Sequence, residues 1–345
     1  MIDSITGVPY VYVTRGAITE SVHAIVACAA DASGSIALAY GDIDAPIYLR
    51  SAAKPFIAAA VMASRANERY GFDEREIAVM AASHNGEPQH VAAVTSILEK
   101  IGLDERALQC GAHAPAYEPA AAALAASGAQ PSALHNNCSG KHAGILALCR
   151  ARGYDRATYL ALDHPAQQEI LALCGRLLGE DPTHMPLGVD GCGIPVFATS
   201  MRRAARAFAR FASIDEVDDA DAIALELVRY AIASEPFYLG GTGRFDSALP
   251  QATRGRIIGK AGAEGVHADA LLDQGLGLAL KVIDGARRAV PPATMALLGE
   301  LGALEPSARA ALDGFATSDL TNVAGTIVGA IHAAAPDTIA AGSAS

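Results

Sequence analysis

The chain has 345 residues, 51% of them apolar, and a formal net charge of −11. This length can bury a sizeable core, and the acidic balance disfavours a nucleic-acid partner because an acidic surface repels phosphate groups. No apolar run approaches the roughly 18 residues that a membrane span needs, and the first residues lack the pattern of a signal peptide, so we expect a cytoplasmic protein that binds neither nucleic acid nor membrane.

The hydrophobic pattern changes along the chain. Strands are predicted at 10–13, 22–28 and 36–40, the last two joined by a turn at 31–34. From about residue 51 the apolar positions recur at helical spacing, and strand-like segments return later. The helical segments are 56–62, 91–98, 145–148, 170–178 and 223–232, and the later strands are 256–259 and 276–283.

Strands towards both chain ends with a helical middle predict an α+β fold whose sheet uses both ends of the chain. We expect one domain over residues 1–340, with the helical portion, about 51–235, inserted between the sheet-forming segments. The small, polar residues 341–345 are expected to form a frayed tail.

Ser51 and Lys54 stand at the start of the first predicted helix, directly before Pro55. Proline is tolerated only in the first turn of a helix, so the helix should begin near Ser51. Residues three apart share a helical face, which would bring the lysine amine to the serine hydroxyl. Burial lowers the pKa of a lysine and makes it a usable base. Taken alone, residues 51–54 are better explained by an N-capping serine and a solvated lysine.

Two later segments favour the catalytic interpretation. Ser83-His84-Asn85-Gly86-Glu87 follows an apolar helical segment, and Lys260-Ala261-Gly262 follows a predicted strand. Ser-x-x-Lys, Ser-x-Asn and Lys-x-Gly in this order are the motifs of penicillin-binding proteins and serine β-lactamases. There the second serine passes protons to the leaving group, and the second lysine attracts the substrate carboxylate. The three motifs together predict a serine hydrolase.

Two cysteines form a second candidate site. Cys138 and Lys141 lie in a polar segment before a predicted helix, and Cys192 lies in a glycine-flanked turn. Cysteines in such turns suit a metal site or a redox role. Two cysteines with Lys141 or His142 could hold zinc with one open position. Spacing alone supports a structural interpretation and a metal interpretation equally.

With these motifs, the chain resembles the Rhizobium etli-type (class 3) L-asparaginases, the asparaginase II family, over most of its length. The motifs that carry the resemblance are Arg15-Gly16, Glu20-Ser21-Val22-His23, Arg50-Ser51-Ala52-Ala53-Lys54-Pro55, Ser83-His84-Asn85-Gly86-Glu87, Asn137-Cys138-Ser139-Gly140-Lys141-His142, Asp163-His164-Pro165, Asp190-Gly191-Cys192-Gly193-Ile194-Pro195, Gly243-Arg244-Phe245-Asp246 and Lys260-Ala261-Gly262-Ala263-Glu264-Gly265.

The resemblance implies a serine β-lactamase-like fold, a homodimer, and hydrolysis of L-asparagine to L-aspartate and ammonia through an acyl-enzyme. It implies two Ser-Lys pairs, Ser51 with Lys54 and Ser83 with Lys260. These four residues are the predicted catalytic groups.

The resemblance also implies a zinc ion that positions the substrate and does not activate the attacking water. Its predicted ligands are Cys138, Lys141 and Cys192, with Asp190 orienting them. We further predict substrate contacts for residues within the same motifs, namely Arg50, Asn85, His142 and Glu264.

Three alternatives stay open at this point. The same scaffold could serve a glutaminase or a β-lactam-type serine hydrolase. A non-catalytic homologue that binds an amino acid is a second alternative, which the intact serines and lysines speak against. In a third, the cysteines form a redox switch and bind no metal.

Overall fold

Eleven strands and fourteen α-helices occupy residues 5–334, the part of the chain that this computed structural model describes. The strands are β1 Val8–Arg15, β2 Ile18–Asp31, β3 Ile36–Tyr40, β4 Ile47–Tyr48, β5 Leu187–Val189, β6 Pro195–Thr199, β7 Ile257–Ala261, β8 Val266–Leu271, β9 Leu276–Val282, β10 Thr317–Thr321 and β11 Ile327–Ala333. The helices are α1 Lys54–Ala63, α2 Ala66–Tyr70, α3 Glu74–Met80, α4 Pro88–Lys100, α5 Glu118–Ala126, α6 Ser139–Arg152, α7 Pro165–Leu178, α8 Met201–Ala212, α9 Asp219–Ser234, α10 Phe237–Gly240, α11 Phe245–Ala252, α12 Val290–Glu300, α13 Pro306–Ala311 and α14 Asp313–Ala316.

The main sheet is antiparallel and joins both ends of the chain. Its order is β10-β11-β1-β2-β9-β8-β7, and β3 also pairs with β2. β4, β6 and β5 form a smaller, three-stranded sheet. The N-terminal β1 and β2 thus lie between strands from the C-terminal third, and helices fill most of the chain between them. The prediction of an α+β fold with a sheet built from both ends is confirmed.

Strand β2 separates two hydrophobic cores. Alternate residues of a strand point to opposite faces, and here Val26 and Cys28 pack into the core shared with the helical middle, whereas Ile25 and Ala27 pack into a core that includes α12. Both faces of this part of β2 are therefore covered, which is why its residues from Ile25 to Ala30 are all apolar.

Helix α1 lies at the centre of the first core. Every residue from Lys54 to Met62 is buried, and a helix that is apolar all round belongs inside a core. The proline spacing predicted a helix that begins near Ser51, but α1 itself begins three residues later. A 3-10 turn, Arg50–Ala53, comes first, and the α-helix begins at Lys54. This turn holds Ser51 at the edge of the core and leads Lys54 inside.

Small residues let α8 approach the sheet closely. A Cβ at Gly277 of β9 would lie 2.0 Å from the carbonyl oxygen of Ala205. Only glycine fits such a contact, so α8 and the sheet are held at short range. The buried residues of α8 include five alanines, whose short side chains also allow close packing.

None of the helices within residues 5–334 is long and apolar enough to cross a membrane. The single domain over residues 1–340 stays a prediction, and the expected frayed tail at 341–345 lies outside the described residues.

Candidate active site

Two serines line one polar cavity. Ser51 from the 3-10 turn and Ser83, which follows α3, both contribute to the wall of a cavity of about 300 Å³. The backbone around Ser83 is fixed by hydrogen bonds to the end of α10, where Ser83 N donates to Leu239 O at 3.1 Å. Within residues 5–334 the Ser51 hydroxyl makes no side-chain hydrogen bond, so its oxygen is free for an incoming group.

Lys54 lies directly beneath this cavity and is 0% exposed. Its Nζ donates to the carbonyl oxygens of Ala82 at 2.5 Å and Asn137 at 3.2 Å and to Ser83 Oγ at 3.0 Å. Burial lowers the pKa of Lys54, and the charge of Lys141 adds to this effect, while the Cys138 sulfur opposes it. Lys54 is thus a buried amine in contact with a serine, and burial disfavours the charged form of the amine.

Lys260 approaches from β7 and is bound to a carboxylate. Its Nζ donates to Asp246 Oδ2 and to the carbonyl of Ala261, both at 2.8 Å. Burial lowers the pKa of Lys260 to about 8, with the charge of Lys54 contributing and Asp246 opposing. Burial alone would raise the pKa of Asp246, but the charges of Lys260 and Arg244 outweigh it and bring it to about 2. This pair is therefore ionic at neutral pH.

The four predicted catalytic residues are not hydrogen-bonded in the two Ser-Lys pairs that the resemblance implies. Lys54 is bonded to Ser83, and Lys260 is bonded to Asp246. The two lysines are close enough for the charge of Lys54 to lower the pKa of Lys260. The structure brings the four residues to one region, and the roles within each pair stay a prediction.

Arg50 and Asp190 form an ion pair beside the 3-10 turn. Arg50 adopts a φ of +52°, and its Nε donates to Asp190 Oδ1 at 2.9 Å. A left-handed backbone is costly for a residue with a Cβ, so the ion pair helps to hold Arg50 there. Burial would raise the pKa of Asp190, but the Lys141 charge and the Arg50 hydrogen bond keep it below its usual value. Arg50 is thus engaged with Asp190 and not free within the cavity.

The two cysteines and Lys141 converge in the interior. Lys141 Nζ lies 3.1 Å from Cys192 Sγ, and all three residues are buried. A hydrogen bond from Cys192 and the charges of Lys141 and Lys54 lower the pKa of Cys138 well below its usual value. The same hydrogen bond and burial raise the pKa of Cys192. One sulfur is thus favoured as a thiolate next to a lysine amine.

This arrangement fits zinc only if the lysine takes part. Residues 5–334 contain no group of three or more His, Cys, Asp or Glu side chains that could hold a metal. Two sulfurs and one nitrogen are donors that zinc accepts in proteins. The cluster therefore offers zinc two sulfurs, and Lys141 can be the nitrogen ligand only after it loses its proton. The Cys138 and Cys192 sulfurs oppose that loss, because they raise the pKa of Lys141 against the effect of burial.

The remaining predicted substrate contacts lie in different settings. Asn85 donates from Nδ2 to Thr242 O and accepts at Oδ1 from Arg244 Nη1, both at 3.0 Å. Glu264 is exposed and lines the cavity. His142 is fully buried, with Nδ1 bonded to Tyr159 OH at 2.7 Å and no partner among the described residues for Nε2.

Several residues that shape the site were not predicted from the sequence to have a role. Asp246 and Arg244 were noted only as part of a motif, and Glu87 and Thr242 were given no function. Glu87 is buried, and its carboxylate accepts from the backbone N–H and the hydroxyl of Thr242, both at 2.7 Å. Asp246 is an acidic residue near the start of a short helix that precedes Lys-x-Gly. This position is the sequence feature that could have predicted its role as the partner of Lys260.

The comparisons with known proteins assign the chain to the hydrolases that act on amides. The family model described as L-asparaginase II matches residues 11–333. This span is nearly the whole chain, and the chain therefore belongs to the L-asparaginase II family. A search of curated protein sequences gives no match.

Solved structures that align with the chain include a β-lactamase from Mycobacterium bovis. It shares 15% sequence identity with a TM-score of 0.41, over 80% of this chain and 94% of that chain. Simvastatin synthase from Aspergillus terreus aligns with 14% identity and a TM-score of 0.39, over 75% of this chain and 86% of that chain. The assignment of site residues rests on neither alignment but on the side chains of this chain.

Proposed function

We propose that the chain is an L-asparaginase that hydrolyses L-asparagine to L-aspartate and ammonia through an acyl-enzyme on Ser51. One observation carries the proposal: a fully buried lysine, Lys54, contacts a serine at the base of a cavity that Ser51 also lines. Membership of the L-asparaginase II family supports the choice of substrate.

The hydrogen bonds of Lys54 indicate how it could act as a base. A charged lysine has three N–H donors, and a neutral one has two and a lone pair. The carbonyls of Ala82 and Asn137 can only accept, so they would take the two N–H groups of neutral Lys54. The lone pair then faces the Ser83 hydroxyl, which can donate. Neutral Lys54 is thereby ready to take up a proton by way of Ser83.

In the proposed first step, Ser51 Oγ attacks the side-chain amide carbon of asparagine and its proton goes to Lys54, either directly or through Ser83. The carbonyl π electrons move to oxygen, and backbone N–H groups near the start of α1 would stabilise the oxyanion. When the C–N bond breaks, the proton returns through Ser83 to the leaving nitrogen, which departs as ammonia. Water then hydrolyses the β-aspartyl ester and restores the Ser51 hydroxyl.

Lys260 has an electrostatic role in this proposal. Its bond to Asp246 keeps it charged at neutral pH although it is fully buried. The neighbouring residues Ala261 and Gly262 line the cavity, so this charge lies close to its wall. We assign to Lys260 the attraction of the substrate carboxylate and the support of Ser83.

Zinc is the proposed cofactor, held by Cys138, Lys141 and Cys192 with Asp190 next to them. A bound zinc ion would supply a fixed positive charge that positions the substrate. The test is elemental analysis of protein purified without added metal, beside a Cys138→Ser variant. One zinc per chain that is lost in the variant supports the site, and metal-free, active wild type contradicts it and favours the redox interpretation of the cysteines.

The central experiment measures ammonia release from asparagine and glutamine, together with nitrocefin hydrolysis, for the wild type, Ser51→Ala and Ser83→Ala. We expect asparagine to be the preferred substrate. Loss of the nucleophile should reduce kcat/KM by about 10⁴-fold or more, and loss of a relay by about 10²-fold. Near-normal turnover by Ser51→Ala would end the proposal. A larger loss of kcat/KM in Ser83→Ala than in Ser51→Ala would make Ser83 the nucleophile. Tight binding of asparagine without turnover would favour a non-catalytic homologue.

A cytoplasmic location and a homodimer complete the proposal. All six cysteines are unpaired, in keeping with a reducing compartment. Light scattering on the purified protein tests the dimer, and a mass of one chain would contradict it.

A further inference from the structure

A second cavity lies on the far side of the end of β7. It has a volume of about 280 Å³ and opens between the starts of α11 and α12. It shares part of its wall with the cavity that holds the serines, namely Arg244, Ala261, Gly262 and Arg287. Arg288, Phe245 and Phe315 line only the second cavity. No step of the proposed reaction uses these last three residues.

The wall of this cavity is basic although the whole chain is acidic. Three arginines line it, and the chain has a net charge of −11. Within residues 5–334, the Arg287 guanidinium has no hydrogen bond or ion pair, and only its backbone carbonyl accepts, from Val290 N–H. Arg288 donates from Nε to Nε2 of His23, which is neutral when it accepts. The acidic residue in the wall, Asp246, is already bound to Lys260. The charge of Arg288 also acts on Glu20, and its partner His23 is bonded in turn to Asp284. Among the residues that the structure describes, the positive charge left without a matching carboxylate is therefore that of Arg287.

A fully buried histidine adds an unused polar atom to the same wall. His267 lines the cavity, and its Nε2 is bonded to Asp269 Oδ1 at 2.8 Å. Its Nδ1 has no partner among the described residues. A buried polar atom without a hydrogen bond costs free energy, and this cost is removed if a ligand supplies the partner.

The rest of the wall is apolar. Phe245 and Phe315 pack against each other with ring centroids 5.1 Å apart, and Val290 and Pro291 lie at the start of α12. Arginines beside aromatic and aliphatic side chains match a ligand with an apolar body and one negative group. A bare inorganic anion would leave the apolar wall without a contact.

We propose that this cavity is a second binding site for a small organic carboxylate with an apolar body, whose carboxylate is bound by Arg288 and Arg287. The site adjoins the cavity that contains Ser51 and Ser83 and shares Arg287 with it, whereas Arg288 lines only the second cavity. It would exist whether or not the chain hydrolyses asparagine.

Isothermal titration of the full-length protein with phenylacetate tests the proposal. We expect one site per chain, at least tenfold weaker binding of acetate, which lacks the apolar body, and of 2-phenylethanol, which lacks the charge. Arg288→Gln should weaken phenylacetate binding about tenfold, whereas Arg288→Lys should keep part of it. Arg309→Gln, at an exposed arginine of α13 outside this cavity, is the matched control and should bind like the wild type.

Three outcomes would overturn the proposal. Equal binding of phenylacetate by the wild type and Arg288→Gln would place the ligand elsewhere. Equal binding of acetate would leave only a general attraction of anions, and no heat at millimolar phenylacetate would mean no site. Ammonia release by Arg288→Gln is measured in parallel, so that loss of binding with intact turnover separates this site from the proposed active site.

Discussion

Two lysines of this chain are both completely buried and yet have different surroundings. Lys54 is hydrogen-bonded to two carbonyls and a hydroxyl, whereas Lys260 is bonded to the carboxylate of Asp246. Burial lowers the pKa of both. At Lys260 the ionised carboxylate offsets much of this effect, so the charge persists at neutral pH.

The difference shows how one residue type can serve two purposes a short distance apart. A base must give up its charge near the working pH, and an amine without a bonded carboxylate is suited to do so. A binding group must keep its charge, and a buried carboxylate secures that. The partners, and not the burial, distinguish the two lysines.

The largest expected effect comes from removing the proposed base. Lys54→Met keeps the length and burial of the side chain but removes the amine. We expect kcat/KM for ammonia release to fall about 10³-fold, or about 4 kcal/mol. The free energy of unfolding should change by less than about 2 kcal/mol, because removal of a buried polar amine offsets the cost of the two carbonyls left unpaired.

Lys100→Met is the control for that experiment. Lys100 also bonds a carbonyl, that of Gly71, but it lies by Glu76, away from the cavity. Its replacement should leave kcat/KM unchanged. Turnover by Lys54→Met within tenfold of the wild type would exclude Lys54 as the base.

The sequence predicted the parts of this site that depend on local patterns. The apolar pattern predicted β1 to β3, and the spacing of Ser51, Lys54 and Pro55 predicted the start of a helix, which is buried. The partners of the lysines were not predictable in the same way, because Ser83 and Asp246 reach them from other elements. Local spacing cannot show which groups meet across 29 residues, as Lys54 and Ser83 do.

Strand β8 escaped prediction for a related reason. Its residues alternate between apolar and polar from Val266 to Ala270, but all six are buried, so the polar positions do not mark a solvent-exposed face. Its polar residues His267 and Asp269 bond to each other in the interior. Polar residues that satisfy one another can occupy a central strand, and only the three-dimensional pairing shows it.

The second expected effect concerns the ionic pair. Asp246→Asn leaves the Lys260 charge buried without its counter-charge, so the free energy of unfolding at neutral pH should fall by about 3 kcal/mol. Urea denaturation of Asp246→Asn, Lys260→Met and the double variant measures this. The double variant should recover much of the loss. If the two losses simply add, the residues are not coupled and the comparison fails.

A smaller effect should appear in the pH dependence of stability. The pKa of Lys260 is about 8 in the folded chain against an ordinary value of 10.5. Between these values the unfolded chain holds a proton that the folded chain has released, so stability rises with pH. The wild type should gain about 2 kcal/mol relative to Lys260→Met across this window. Urea denaturation at pH values spanning the window tests it, and parallel curves for the two proteins would contradict the lowered pKa.

The smallest expected effect tests what links the two lysines. The Glu87–Thr242 bridge, formed by the carboxylate of Glu87 and the backbone N–H and hydroxyl of Thr242, joins the segment after Ser83 to the loop before Asp246. Thr242→Val keeps the shape and removes one hydrogen bond, at a cost of about 1 kcal/mol in the free energy of unfolding. If the bridge also aligns the two regions, kcat/KM should fall about fivefold, a comparable free energy.

Thr294→Val separates alignment from stability. The Thr294 hydroxyl bonds the Val290 carbonyl at 2.9 Å within α12, remote from the serines. Its loss should cost a similar free energy of unfolding but leave kcat/KM unchanged. Equal losses of kcat/KM in the two variants would mean that the bridge only stabilises the fold. A loss confined to Thr242→Val would mean that Glu87 keeps the surroundings of Lys54 and Lys260 aligned, so that they act as one site.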